Sequence, residues 1–281
     1  MLMKASYPQN PLPALRCPNC RKSGTICLMP DALDPEECHC TQCGHVLAVH
    51  RRVPDFAEHL PLLGKELSTI QKVNNSRLFS FYYDKAIWRP FLTRIGSGLS
   101  MAQEAGKIMQ LAEPSGARAV ADLACGTGRY AMEFARRLPD ACVYGVDLSL
   151  NMLAQARQEI TRQRIQNIVT LRGDIYQLPF ADGSLDRVNC CGVLHLFKEL
   201  KPVWAELNRV LRPGGIFTAW VLTFAPNAFS RFQKWLMNHV EVTFFDPVQL
   251  VAQLDSAGLS AFKAFHHHNW LIFRAIKKSP S

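Results

Sequence analysis

Cys17 and Cys20, then Cys40 and Cys43, form two Cys-x2-Cys pairs with 19 residues between them. Two such turns can aim four thiolates at one ion and close a tetrahedral shell, and this spacing is that of a zinc site. A closed shell leaves no open position for substrate, so the expected role is structural. Pro18 and Gly44 suit the tight turns after Cys17 and Cys43. Cys38, His39 and His45 compete as ligands, and Cys27 reads as a packing residue. A disulfide framework is disfavoured because no export signal is visible. A redox Cys-x2-Cys pair would sit at a strand-to-helix turn of a βαβ unit, which this segment lacks.

A second constellation lies about a hundred residues on. Ala119 to Ala124 is a short apolar strand carrying Asp122. Gly126-Thr127-Gly128 is a tight loop. Arg129 to Leu138 has helical spacing, with Ala131, Phe134, Ala135 and Leu138 on one face. Cys142 to Val146 reads as a second strand ending in Asp147, 19 residues after Gly128. Gly-x-Gly-x-x-Ala satisfies the dinucleotide-binding pattern, in which backbone approaches a ligand and an acid holds ribose hydroxyls. The loop alone leaves two cofactors open, a nicotinamide dinucleotide and S-adenosylmethionine.

Three stretches decide between them by resemblance. "DLACGTG" resembles the D/E-x-x-x-G-x-G motif of class I S-adenosylmethionine-dependent methyltransferases. "LRGDIYQLPFADGSLDRV", Leu171 to Val188, resembles that family's D-x-x-x-L-P-F-x-x-x-S-x-D run. "LNRVLRPGGIFTAWVL", Leu207 to Leu222, resembles its R-x-L-R/K-P-G-G segment before the fifth strand. The likeness is nearest to the ubiquinone and menaquinone C-methyltransferases. "LRCPNC" with "CTQCGHVLAVHRRVPDF" also resembles the zinc ribbons that precede some methyltransferase domains.

This resemblance implies an α/β fold with the seven-stranded mixed sheet of the Rossmann-like class I methyltransferases, preceded by a small zinc ribbon. It also implies roles. Ala124, Gly126, Thr127 and Gly128 bring backbone to the methionine part of the cofactor, and Asp122, below the loop, binds the cofactor ammonium or supports a water there. Asp147 and Leu148 serve the ribose, Ser149 and Met152 flank adenine, and Asp174 and Ile175 complete the adenine pocket. Asn189, Cys190 and His195 face the transferred methyl, with His195 the candidate general base. Tyr83, with Tyr82 and Trp88, lies in an F-Y-D-like segment that covers the cofactor in relatives.

These residues need elements to hold them. The expected organisation is a ribbon over residues 1–60, a helical linker or lid over 61–115 and the cofactor domain over 116–281, with a lid insertion at about 224–243. An amphipathic helix is expected to stop at Pro213-Gly214-Gly215. Asn189 to Phe197 is expected to follow the fourth strand. Asp246 should cap a helix starting at Pro247, followed by an antiparallel strand pair. His266 to His268 alternate faces along a strand and are read as non-metal.

The 48% hydrophobic and 20% charged composition is that of a folded protein. Gly215 to Ala225, the longest apolar run, is about half the length a membrane span needs. No signal peptide is visible, so the expected location is cytoplasmic. Net charge is +9, yet residues 1–60 hold six basic and six acidic residues. A neutral ribbon is a poor phosphate clamp and is expected to wall the substrate mouth. The expected substrate is a small apolar or aromatic molecule. The alternative is a ribosomal RNA guanine methyltransferase that uses the ribbon to recognise RNA.

Overall fold

The computed structural model describes residues 12–58, 98–224 and 242–279. Its first unit is a small antiparallel sheet of β1 (Ile26–Met29), β2 (Glu37–Cys40) and β3 (Val46–Leu47). Alternation sets its faces, with Ile26, Leu28, Cys38, Cys40 and Leu47 buried and their neighbours more exposed. A second hairpin pairs β4 (Val49–His50) with β5 (Val53–Pro54). Its two-residue turn is Arg51-Arg52, both at positive φ (53° and 64°), a geometry usually supplied by Asn-Gly.

The large sheet alternates strands and helices. The elements are α1 (Met101–Ala112), β6 (Ala119–Leu123), α2 (Arg129–Arg137), β7 (Cys142–Asp147), α3 (Leu150–Arg162) and β8 (Ile168–Arg172). Then come β9 (Leu185–Cys191), α4 (Lys201–Val210), β10 (Leu211–Leu222), α5 (Pro247–Ser256), β11 (Leu259–His267) and β12 (Trp270–Lys277). The strand order is β11-β12-β10-β9-β6-β7-β8. β12 is antiparallel to both its neighbours, and the other pairings are parallel. This is the expected seven-stranded mixed sheet. The chain runs outward from β6 to β8 and then returns to β9 on β6's other side. That reversal creates the crevice where open α/β sheets bind ligands.

Both faces of a parallel sheet must be covered. On one face α1, α2 and α3 supply Ile108, Phe134 and Ala156 against Val120, Val143 and Ile272. On the other, α4 and α5 supply Trp204, Leu207, Leu250 and Leu254 against Phe217 and Phe273. The connection from β8 to β9, residues 173–184, contains no helix. The ribbon fills that gap. Leu12, Leu15, Ile26 and Leu28 join one apolar cluster with Tyr144 and Phe180. Leu15 bridges Phe180, flanked by hydrogen bonds from Arg16 N to Pro179 O (3.0 Å) and from Ala181 N to Ala14 O (2.8 Å). Asp55 bridges Arg172, and Phe56 N donates to Arg172 O at 2.9 Å, so the β8 edge is paired.

Some local expectations change. Among the described residues the ribbon lies against the β8 edge. The helix before Pro213 ends at Val210. Pro213-Gly214-Gly215 is looped out inside β10, whose register with β9 shifts between Leu211 and Ile216. Asn189 to Cys191 lie within β9, and the turn begins at Gly192. Asp246 caps α5 as expected, accepting from Val248 N and Gln249 N. His266 and His267 end β11, while His268 enters the turn at positive φ. Tyr82, Tyr83 and Trp88, and most of the insertion at 224–243, lie outside the described residues.

The shared cluster has a measurable consequence. Phe180→Ala should cost about 3–5 kcal/mol. Denaturation followed by tryptophan fluorescence for the sheet and by labelling of the ribbon thiols, in a variant with Cys125, Cys142, Cys190 and Cys191 replaced by alanine, should give one common midpoint. Two separated midpoints would show that ribbon and sheet do not share a core.

Candidate functional site

The glycine loop leaves β6 with a sharp reversal. Ala124 and Gly126 both take positive φ (50° and 55°), and Cys125 N donates to Val146 O at 3.0 Å. Gly128 (φ 81°) begins α2, where an added Cβ would stand 3.2 Å from Ala156 Cβ. Glycine there lets α2 and α3 approach. Asp122 is fully buried and lies outside the cavity lining. Its Oδ2 accepts from Ala131 N at 2.9 Å, in the first turn of α2, and its Oδ1 accepts from Asn189 Nδ2 at 2.6 Å. It therefore stabilises the helix start electrostatically and ties β6 to β9.

At the end of β7 Asp147 serves the loop directly. Its Oδ2 accepts from Gly126 N and its Oδ1 from Ser149 N, each at 2.8 Å. Burial raises its pKa, and bonds from the Ser149, Gly126 and Leu148 amides oppose that rise. Asp174 follows β8. Its Oδ1 accepts from Tyr176 N at 3.0 Å, and burial raises its pKa too. A single cavity joins these parts. Of the expected cofactor residues, Ala124, Gly126 and the acids Asp147 and Asp174 line it, together with Leu148, Met152 and Ile175. Ser149 lines it as well and caps α3.

Others do not. Thr127 and Gly128 lie behind the cavity wall, as does Cys190. Strand parity explains the last case: Cys190 turns into the core beside α4, while Cys191 lines the cavity. Asn189 is buried within hydrogen bonds to Asp122 and Thr218. Tyr130, Gly192, Val193, Leu196 and Phe197 also line the cavity and were not anticipated. Their apolar character gave no chemical signal. Tyr83 lies outside the described residues.

His195 occupies the 3-10 turn Leu194–Leu196 and is not among the lining residues. Its ring stacks at 5.8 Å on Trp220, which stacks at 3.8 Å on Trp270. Burial draws its pKa down to about 4, so the ring is neutral at pH 7. Gly192 makes this packing possible, since a Cβ there would lie 2.6 Å from the Trp220 ring.

The four paired cysteines converge in the ribbon. Cys17 Sγ lies 3.8 Å from Cys43 Sγ, Cys20 Sγ lies 3.7 Å from Cys40 Sγ, and all four fall within 4.8 Å of one another. Four thiolates at about 2.3 Å around a tetrahedral zinc ion stand about 3.8 Å apart, so this donor set fits the metal. Arg21 N to Cys17 O (3.0 Å) and Gly44 N to Cys40 O (2.9 Å) close the two turns. Burial works against ionising Cys40, but bonds from Thr25 and the Cys43 and Gln42 amides prevail and bring its pKa to about 6. Cys38, His39 and His45 stand outside the cluster. Cys38 faces the core, and burial pushes its thiol up to about 12.

Comparison with known proteins follows this geometry. Residues 120–215 match a family described as a methyltransferase domain. An uncharacterized chloroplastic methyltransferase of Arabidopsis thaliana is 30% identical over 215 residues, 72% of this chain and 58% of that protein. Demethylmenaquinone methyltransferase of Porphyromonas gingivalis is 37% identical over 110 residues, 38% of this chain and 45% of that protein. The chain spans about half the length of the curated relatives it matches. Among solved structures, phosphoethanolamine N-methyltransferase 2 of Haemonchus contortus with S-adenosylmethionine superposes with TM-score 0.59 at 17% identity, covering 73% of this chain and 58% of that one. No helix among the described residues is long and apolar enough to cross a membrane. Residues 120–215 thus match a methyltransferase domain, and that span holds the glycine loop, both acids and the turn after β9.

Proposed function

We propose that this protein transfers a methyl group from S-adenosylmethionine to a small apolar or aromatic acceptor. The observation that carries this reading is the composition of the one cavity beneath the glycine loop. It is lined by two acids, Asp147 and Asp174, and by the apolar side chains of Val193, Leu196 and Phe197. Asp147 would accept bonds from the ribose hydroxyls, and Asp174 from the adenine amino group. Met152 and Ile175 would hold the adenine faces. When bound, the cofactor supplies a methyl group on a sulfonium, ready for in-line displacement.

The apolar lining residues would supply orientation and a dry environment rather than proton transfer. The cavity's two thiols, Cys125 and Cys191, are both pushed well above their ordinary value by burial. His195 stands behind the wall with a low pKa. An acceptor that is already nucleophilic fits such a site, since positioning then does most of the catalysis. The relative named for demethylmenaquinone supports a ring-bearing acceptor. An RNA acceptor would call for free cations on the ribbon. Two of the ribbon's arginines are engaged, Arg16 with Asp182 and Arg52 with Glu36, and its Asp34 takes Arg157, while Arg21 and Lys22 are exposed. Cys17, Cys20, Cys40 and Cys43 would hold a structural zinc ion.

Three measurements test this reading. S-adenosylhomocysteine should bind the purified protein in calorimetry, and Asp147→Ala should weaken it about 100-fold through loss of two charge-assisted hydrogen bonds. Absence of binding to the unaltered protein would sink the proposal. Elemental analysis should find one zinc per chain, falling to near zero in Cys40→Ser; undiminished zinc in that variant would remove Cys40 from the ligand set. The third concerns His195, whose folded pKa is about 4 against an ordinary 6.5. Its neutral burial contributes stability that is complete above pH 6.5 and drains away as pH falls towards 4, on the order of 3 kcal/mol. His195→Phe should flatten that part of the pH–stability curve, and an unchanged slope would refute it.

A further inference from the structure

We propose that the ribbon shapes the adenosine half of the cofactor site, with Asp55 as a positioning residue that acts through Arg172. This inference rests on the methyltransferase reading above. The Asp55 side chain has no solvent exposure. Its Oδ2 accepts from Arg172 Nη1 at 2.6 Å, and its Oδ1 accepts from Ala57 N at 2.9 Å. His50 Nε2 stands 3.7 Å from the same carboxylate. Arg172 does not stop there, because its Nε donates to Leu148 O at 3.1 Å. Leu148 lines the cavity directly after Asp147. One guanidinium therefore links a ribbon carboxylate to the backbone that presents the ribose acid. The main chain repeats the link, through Phe56 N to Arg172 O (2.9 Å) and Gly173 N to Asp147 O (3.1 Å).

Two further contacts reach the same place. Val53 of β5 is fully buried and forms a small apolar cluster with Cys125 of the glycine loop and Leu153 of α3. Arg51, held at positive φ, donates to Asn151 Oδ1 at 3.1 Å. Asn151 and Leu153 flank Met152, the residue expected on the adenine face. Ribbon contacts thus fall on Asn151 and Leu153, beside the adenosine end, and reach Leu148 through Arg172, while the contact on Cys125 falls on the glycine loop. A buried ion pair is itself weak evidence for stability, and removing one partner leaves an uncompensated charge. Geometry at Leu148, beyond stability, is what the pair controls here.

The test uses the full chain and two ligands, S-adenosylhomocysteine and 5′-methylthioadenosine. The second keeps the adenosine and lacks the amino-acid part. Asp55→Asn should raise the dissociation constants of both by the same factor, about tenfold. Hydrogen exchange of the 147–152 amides should quicken, while β6 amides keep their protection. If Asp55→Asn does not fold, Arg172→Lys decides instead, since it leaves a cation beside Asp55 but cannot also reach Leu148 O in the same geometry. Unchanged affinity in a folded variant overturns the proposal, even if its melting temperature falls. Weakening of S-adenosylhomocysteine alone also overturns it, because the effect would then lie at the methionine end. If the unaltered protein binds neither ligand, the methyltransferase reading fails and this inference with it. Binding by the unaltered protein with no change in the variants fails this inference alone.

Discussion

A parallel strand cannot leave either face to water, because its side chains are apolar on both. The chain leaves β8 and returns as β9 without building a helix on the way. Tyr144 of β7 and Phe180 of that connection would then stand uncovered, and both are fully buried by the ribbon. Much else follows from this cover. It gives the β8 edge a partner and brings Asp55 to Arg172. The ribbon is therefore part of the sheet's packing and covers a face that a crossover helix would otherwise cover.

The site depends on polar groups in balance with that packing. Asp147 is half-buried, and the amides of Gly126 and Ser149 compensate its charge. Those same bonds fix the loop, so the acid expected to meet the ligand also sets the loop that approaches it. Asp122 carries out the matching task one strand away, joining the start of α2 to Asn189 and through it to Thr218. Three strands are thereby held in register below the cavity floor. Positive φ at Ala124, a residue with a Cβ, is the local strain that this network sustains.

Much of this was legible in sequence where chemistry demands a fixed backbone shape. Gly126-x-Gly128, Asp147 and Asp174 carry spacings that few other structures require, and so do the two Cys-x2-Cys turns. Parity in a central strand is different. Cys190 and Cys191 look alike in sequence because both faces of β9 are buried, so nothing marks which one meets the cavity. Pro213-Gly214-Gly215 reads as a helix stop, yet the same residues serve a bulge within β10. Asp122 reads as a ligand contact because its place below the loop is family-like, while its partners come from α2 and β9. Arg172 and Asp55 stand 117 residues apart, and no local pattern announces such a pair.

The seam between ribbon and sheet also orders events in time. Arg16 and its partner Asp182 are 166 residues apart. At ordinary rates of synthesis, about 10–30 s separate their emergence from the ribosome. Through that interval Leu12, Leu15, Ile26 and Leu28 have no Tyr144 or Phe180 to cover them. A nascent chain in this state presents a sticky surface long before its natural mate exists. Capture of a metal ion by the four cysteines would shape the ribbon early and limit the wrong partners it can find, so newborn chains would meet their main aggregation risk during metal shortage.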